Sequence, residues 1–284
     1  MRPKGLIRLL LTGCLLLLLS GCTFGATVDA LLTPPHLRGE QEQIYQALEN
    51  AVGNRITLQY PRSGDHLSAV MISDLDGDGQ DEAAVFYRKE SSLSTENALR
   101  LNLLDQADGT WMSVCDLPAE GAEVDRGFTA DIGGRQRLII GYSQVDQSDK
   151  ALVVYNYEGG TLAKSFTVSY SSFDVADLDG DDQAELLILK AAEGEHAAEA
   201  AVYVPDAQDH YTRYSLTLQG KTTEYSQVLC GNTQGKQTAI YLDGIVGATT
   251  MQTEVLQFDG KKLSYLVPTG SDAVSTIRPT GWLT

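Results

Sequence analysis

Two short acidic segments with nearly the same sequence constrain the fold of this chain most strongly. Residues 74–82 read DLDGDGQDE, residues 177–185 read DLDGDDQAE, and the two segments begin 103 residues apart. In both, acids occupy positions 1, 3, 5 and 9, with small residues between them. Alternate carboxylates on a tightly turned loop point several oxygens at one centre, which suits a hard cation such as Ca2+. The sequence therefore predicts two metal-binding loops in repeated units of one architecture.

Each acidic loop is followed by a short apolar run of strand length, at residues 83–87 and 186–189. Similar runs recur along the chain at residues 69–72, 101–104, 138–140, 152–155, 201–204 and 238–242. Turn signals such as Asp108-Gly109 and Gly133-Gly134 separate the runs. Short apolar runs bounded by turns are typical of an all-β protein.

One segment, residues 41–52, has the pattern of an amphipathic helix instead. Ile44, Ala47, Leu48 and Ala51 recur at the spacing that places them on one helical face. We interpret this helix as a packing element at the start of the folded domain. The alternating residues 56–60 that follow predict a half-buried strand.

The strand pairs recur roughly every 50 residues, which is the length of a β-propeller blade. Asp74, Asp131, Asp177 and Gly231 fall at the same place in four such units, and each first strand pair is followed by a second hairpin-like pair. The sequence therefore predicts an all-β, β-propeller-like fold with about four blades of four-stranded antiparallel sheets and one N-terminal helix. The ring of blades can be complete or incomplete.

The two loops resemble the FG-GAP/VCBS-type repeats of integrin-like β-propellers, which carry a D-x-D-x-D-G-x-x-D/E calcium loop between the first two strands of a blade. The resemblance covers the chain from about residue 66 onward and also extends to bacterial lipoproteins with VCBS-like repeats. It implies two structural Ca2+ sites. Their side-chain ligands would be Asp74, Asp76, Asp78 and Glu82 in the first loop and Asp177, Asp179, Asp181 and Glu185 in the second, with main-chain carbonyls from Gln80 and Gln183.

Two other interpretations of the loops have less support from the sequence. An EF-hand needs a Glu at position 12, where these loops have Val85 and Ile188, and it needs flanking helices rather than strands. A solvated acidic turn without metal is the main alternative, but two near-identical copies between matching strands favour metal binding. Asp182 replaces the glycine found at Gly79, at a cost of about 1 kcal/mol, so we expect a second site that is intact but less ideal.

The N-terminus has the pattern of a secretory signal. Arg2, Lys4 and Arg8 precede the apolar residues 9–19, a run too short for a membrane span. The following Leu-Ser-Gly-Cys resembles the bacterial lipobox, which implies lipidation at Cys22. An ordinary cleaved signal peptide is the alternative.

We therefore predict a lipoprotein signal peptide at residues 1–22, a tether at 23–40 and the propeller-like VCBS/FG-GAP-repeat domain at 41–284. Cys115 and Cys230 either form a disulfide or are two buried thiols. The net charge of −17 argues against binding to nucleic acid.

The repeat period has a consequence at the C-terminus. Continuing it from Gly231 places the next loop near residue 285, whereas residues 276–282 resemble only the opening strand of a fifth unit. Three outcomes are open: a shortened relative, an open propeller with an unpaired edge, or a ring that the last strand closes on the first blade, with residues 56–60 filling a gap.

No constellation of catalytic residues stands out, and His36, His66, His196 and His210 are scattered. We predict no catalytic residue and disfavour an enzyme. The sequence favours a membrane-anchored, extracytoplasmic calcium-binding module of the bacterial envelope that binds or scaffolds a protein or glycan. The alternatives are a polysaccharide-directed hydrolase on a propeller scaffold and a structural subunit that associates through an open sheet edge.

Overall fold

The computed structural model describes residues 39–89, 99–144, 150–232, 238–247 and 250–266. The chain divides into two compact units, Met1–Glu42 and Gln43–Thr284, and every strand described lies in the second. The predicted signal peptide with Cys22, nearly all of the tether and the C-terminal residues 276–282 lie outside the described residues. No helix within the described ranges is long and apolar enough to span a membrane.

The described residues form one helix and four sheets. The helix is α1 (Glu40–Val52). The first sheet contains β1 (Ile56–Leu58), β2 (Val70–Ser73), β3 (Glu82–Lys89), β4 (Leu99–Ala107) and β5 (Thr110–Pro118). The second contains β6 (Glu123–Asp131), β7 (Gln136–Ser143), β8 (Lys150–Glu158) and β9 (Thr161–Tyr170). The third contains β10 (Ser172–Ala176), β11 (Glu185–Lys190), β12 (Glu199–Pro205) and β13 (Tyr211–Thr217). The fourth contains β14 (Thr222–Asn232), β15 (Thr238–Val246), β16 (Thr250–Phe258) and β17 (Leu263–Tyr265).

Apart from β1, sequential strands pair antiparallel within each sheet, so the predicted all-β, propeller-like architecture with four blades and one N-terminal helix is confirmed. The first sheet differs by having a fifth strand. β2 pairs with β3 only from Glu82 to Val85, and β1 pairs with the rest of β3, with Leu58 opposite Tyr87 and Ile56 opposite Lys89. The predicted strand at residues 56–60 therefore completes an edge that the short β2 leaves unpaired.

Apolar layers join the sheets in chain order. One layer packs the first sheet against the second and includes Phe86 of β3 and Ile140 of β7. A second layer joins the second and third sheets, and a third joins the third and fourth sheets. On the remaining face of the first sheet, Ile44 and Leu48 of α1 pack with Val85 and its neighbours. The helix is thus the packing element that its sequence predicts.

This layering explains why β3, β7 and β11 are continuous apolar runs. In β3, Ala84 and Phe86 face the second sheet while Val85 and Tyr87 face the helix. A strand that is covered on both faces needs apolar residues at every position rather than at alternate ones. The same holds for β7 and β11, whose residues divide between two layers.

The four repeat positions all lie where β2, β6, β10 and β14 end. Asp74 follows β2, Asp131 ends β6, Asp177 follows β10, and Gly231 is the penultimate residue of β14. The β6–β7 turn is short: the Ile132 amide donates to the Arg135 carbonyl at 3.0 Å. The repeat read from the sequence is therefore the repeat of the sheets.

Cys115 and Cys230 are both free thiols. Cys115 packs at the layer between the first two sheets, and Cys230 packs between the third and fourth. Burial, together with the nearby Asp174 carboxylate, raises the pKa of the Cys230 thiol well above its usual range.

Candidate metal centres and the adjoining cavity

The two acidic loops occupy equivalent places, because each connects the first two strands of a four-stranded repeat unit, with β1 counted as an extra strand of the first sheet. Residues 74–81 join β2 to β3, and residues 177–184 join β10 to β11. Each loop is folded around its first acid. Asp74 accepts the amides of Gly77 at 2.8 Å and Gly79 at 3.1 Å. A carboxylate that accepts several backbone amides fixes the turn around itself.

The second loop repeats this arrangement with one more bond. Asp177 accepts the amides of Gly180 at 2.7 Å, Asp181 at 3.2 Å and Asp182 at 3.2 Å. The acids at position 5 of the motif also act alike, since Asp78 accepts the Gln80 amide at 2.7 Å and Asp181 accepts the Gln183 amide at 2.9 Å.

The acid at position 9 is buried in both loops. Glu82 is 1% exposed and its Oε2 accepts the Leu75 amide at 2.7 Å. Glu185 is 2% exposed and accepts the Leu178 amide at 2.8 Å. These bonds tie the start of each loop to the first residue of the second strand. Among the described residues, Glu82 Oε1 is a buried side-chain oxygen without a hydrogen-bond partner.

The loops bring three predicted side-chain ligands together in each copy, not four. In the first loop one carboxylate oxygen from each of Asp74, Asp76 and Asp78 lies within 4.8 Å of the others. In the second loop the corresponding group is Asp177, Asp179 and Glu185. The two sets overlap at positions 1 and 3 of the motif and differ in the third member.

The buried glutamates have perturbed pKa values. Burial raises the pKa of Glu82 to about 7, opposed by the Leu75 amide and reinforced by Asp76, Asp105 and Asp74. Burial likewise raises the pKa of Glu185 to about 7, with Asp179, Asp181 and Asp177 adding repulsion.

Burial also raises the pKa values of Asp76 and Asp179, and neighbouring loop acids contribute to both shifts. A cation bound between converging carboxylates would offset their mutual repulsion and favour their charged forms. The arrangement can therefore hold a hard cation through anionic oxygens.

The surroundings of the two loops differ. At position 6 of the motif, Asp182 has φ +67° and Gly79 has φ +87°. Asp182 therefore adopts the left-handed backbone conformation that favours glycine. Near the second loop, an added Cβ at Gly260 in the β16–β17 turn would lie 2.7 Å from Asp179 Oδ2. The second loop is thus in close contact with a turn of the fourth sheet.

The first loop instead forms one wall of a cavity of about 260 Å3. The opposite walls come from the second sheet: the β6–β7 turn, the first residue of β7 and the end of β8. Sequence reasoning missed this cavity and also missed Asp105 and Tyr157, whose side chains are hydrogen-bonded at 2.8 Å near the first loop. Neither residue belongs to a motif, so only the packing of two sheets brings them to the loop.

Resemblance to known proteins is found among solved structures. No family model and no curated protein matches the chain. Solved structures that resemble it include the exotype rhamnogalacturonan lyase YesX, with 16% identity over 75% of this chain and 48% of that chain at a TM-score of 0.38. A rhamnogalacturonan lyase from Bacillus licheniformis has 15% identity over 76% of this chain and 49% of that chain, with a TM-score of 0.36.

A hypothetical protein from Leishmania major has 9% identity over 78% of this chain and 75% of that chain, with a TM-score of 0.32. The chain spans about half the length of the two lyases.

Proposed function

We propose that this protein is a calcium-stabilised binding module of the FG-GAP/VCBS repeat type that acts outside the cytoplasm. The observation that carries the proposal is the paired loop geometry, in which three acids in each loop bring carboxylate oxygens within 4.8 Å of one another. Both loops sit between the first two strands of a sheet, where the resemblance expects a calcium loop. The proposed role of each ion is structural, because it would fix the turn between two blade strands.

The chemistry of the loops supports calcium over a softer metal. Every candidate side-chain ligand is a carboxylate, and hard oxygen donors are the ligands that Ca2+ prefers. Glu82 adds a second observation, since its buried Oε1 lacks a hydrogen-bond partner among the described residues and points to a missing positive partner. Burial raises the pKa values of Asp76 and Glu82, and repulsion from neighbouring acids adds to both shifts. A divalent ion would also relieve this repulsion.

Thermal unfolding of the purified full chain with Ca2+ and with chelator tests the metal proposal. A ligand that binds only the folded state stabilises it by about 2.7 kcal/mol at one hundred times its Kd, so chelation should lower Tm by about 5–10 °C for each site. Asp76→Asn and Asp179→Asn should each abolish part of this shift. Glu195→Gln, which neutralises an exposed acid in a different hairpin, is the matched control. An unchanged melt on chelation would refute the metal proposal.

We also propose that Cys22 carries a lipid anchor on the extracytoplasmic face of a bacterial membrane. The support is the Leu-Ser-Gly-Cys segment directly after the apolar residues 9–19. Metabolic labelling with palmitate should mark the wild-type chain and not Cys22→Ala. Equal labelling of the two chains would exclude this anchor.

The proposed partner is an extracytoplasmic protein or glycan. Of the two, a glycan fits the cavity beside the first loop, for the reasons that follow.

A further inference from the structure

We infer that the cavity between the first acidic loop and the second sheet binds a single neutral sugar unit of a glycan. Its walls are formed by Leu75 and Asp76 of the loop, Arg135 of the β6–β7 turn, Gln136 at the start of β7, and Asn156 and Tyr157 at the end of β8. The inference rests on the proposed binding function and specifies its class of ligand and its binding site.

The cavity has a side chain that is fixed in advance by buried partners. Asn156 Oδ1 accepts from Arg137 Nη1 at 2.7 Å, and Asn156 Nδ2 donates to Asp209 Oδ2 at 2.5 Å. Arg137 is 1% exposed and also donates to the Ile132 carbonyl at 2.8 Å and to Asp209 Oδ1 at 2.6 Å. Such a network holds one rotamer of Asn156, which lowers the entropy lost when a ligand binds against it.

Two more side chains of the cavity wall are also fixed by hydrogen bonds. The Tyr157 hydroxyl donates to Asp105 Oδ2 at 2.8 Å, so that the ring presents a fixed apolar edge. Gln136 Nε2 donates to Ser73 Oγ at 3.2 Å and so joins the start of β7 to the end of β2. Binding sites combine apolar surface with a few fixed polar groups, and this cavity has both.

The charges around the cavity select a neutral ligand. Asp76 and Glu158 line it together with Arg135, whose Nη1 lies 3.7 Å from Glu158 Oε2. The acids repel an anionic ligand, and four acidic ligands around one Ca2+ would still leave the first loop negative. The guanidinium opposes a cation. Guanidinium and amide donors next to carboxylate acceptors match hydroxyl groups, which both donate and accept.

The size of the cavity fits one sugar ring. Its volume of about 260 Å3 is just below the roughly 300 Å3 at which pockets for drug-sized ligands begin. Apolar edges of Leu75 and Tyr157 beside polar groups suit a ring with a C–H face and a hydroxyl rim. A longer glycan would therefore enter with one unit and extend outward.

The first acidic loop connects this cavity to the proposed metal site. Leu75, Asp76 and Gly77 line the cavity, so an ion that orders the first loop also orders one wall of the sugar site. The second loop does not line it. Since coupling between two sites is reciprocal, calcium and sugar should strengthen each other's binding at the first loop only.

Saturation-transfer NMR on the purified full chain with methyl glycosides of neutral aldohexoses and 6-deoxyhexoses tests the inference. At least one neutral glycoside should bind with a Kd on the order of 1 mM, a range typical of weak binding sites. Methyl glucuronoside and lysine amide are the anionic and cationic comparison probes and should bind at least tenfold more weakly. Binding of either in preference to every neutral glycoside would overturn the inference, as would binding of none.

Point variants place the binding in this cavity. Arg135→Ala removes a half-exposed side chain and should weaken glycoside binding about tenfold, the effect of losing one charged hydrogen bond. Arg213→Ala, which removes a similarly exposed arginine paired with Glu199 in the third sheet, should leave it unchanged. Equal effects of both variants would contradict the assignment of the site.

Loop variants separate this inference from the calcium proposal. Asp78→Asn should weaken glycoside binding, while Asp181→Asn in the second loop should not. If chelation alters the melt but no glycoside binds, the sugar inference fails and the metal proposal stands. If glycosides bind equally with and without calcium, the cavity assignment stands and the coupling fails.

Discussion

The two acidic loops have nearly the same sequence but different neighbours. Both wrap around their first aspartate and both bury the acid at position 9. The first loop borders an open cavity, whereas the second contacts the β16–β17 turn at Gly260. The third member of the converging group is Asp78 in the first loop and Glu185 in the second. A local motif thus fixes the loop, and the adjacent sheet decides what the loop can do.

This difference separates two roles for the same motif. Asp179 of the second loop is half-buried beside the β16–β17 turn, which suits an ion that only stabilises the fold. The first loop is open on the side of Asp76, which suits an ion that also shapes a binding surface. The predictions below test how far the two loops are alike.

The largest expected effect is a pH dependence that both loops share. In chelator, Glu82 and Glu185 have pKa values of about 7, above the ordinary 4.5, so the folded state binds more protons than the unfolded state between these values. The contribution of these two groups to the free energy of unfolding therefore falls as pH rises through this window. It is complete only below about pH 4.5. We expect Tm without metal to drop by several degrees from pH 5 to pH 8.

Glu82→Gln and Glu185→Gln should each remove about half of this slope, because the two pKa values are alike. A slope that only one variant reduces would show that the buried glutamates are not equivalent. Thermal unfolding at a series of pH values in EDTA measures the slope, and Glu195→Gln should leave it unchanged.

Gly260→Ala should destabilise the second loop through its contact with the fourth sheet. The new Cβ would lie 2.7 Å from Asp179 Oδ2, and Gly260 has φ +79°. We expect a loss of about 2 kcal/mol in the free energy of unfolding, from backbone strain and the displaced carboxylate together. Gly109→Ala, at φ +72° with nothing within 4 Å, should lose only about 1 kcal/mol. Equal losses in urea unfolding would mean that the Asp179 contact contributes nothing.

Calcium affinity should depend on the position-9 acid more strongly in the second loop. Glu185 belongs to the converging group of its loop, and Glu82 does not. We expect Glu185→Gln to weaken one of two calcium sites about tenfold, because affinity follows the number of ligand charges, and Glu82→Gln to weaken the other by a smaller factor. Isothermal titration calorimetry measures both. Equal losses would indicate that Glu82 joins the ligand group when the ion binds.

The smallest effect should come from position 6 of the loops. Gly79→Ala places a side chain at φ +87° with no neighbour within 4 Å, so we expect a loss of about 1 kcal/mol from backbone strain alone. Asp182→Gly should gain up to about 0.5 kcal/mol by relieving φ +67°. Chemical unfolding in chelator measures both. A loss in Asp182→Gly would show that its side chain contributes more than its backbone conformation costs.

Much of the fold was predictable because it is local. The runs that became β3, β7 and β11 are covered on both faces, and this gives them continuous apolar sequences. The outer strands β5 and β13 do not appear among the apolar runs, because one face of each is exposed, as Met112 at 51% exposure beside the buried Trp111 shows. The pairing of β1 with β3 also required the fold, because it joins residues about 30 positions apart.

The sequence by itself determined the strand pairs, the four-unit repeat and the two acidic loops, because apolar patterning, turn residues and alternating acids act within a few residues of one another. The tertiary structure alone decided which loop stays open, through the packing of neighbouring sheets. It placed Gly260 against Asp179, and it brought Arg135 and Asn156 to the loop that contains Asp76. These contacts join residues that are distant in the chain, and no local pattern records them.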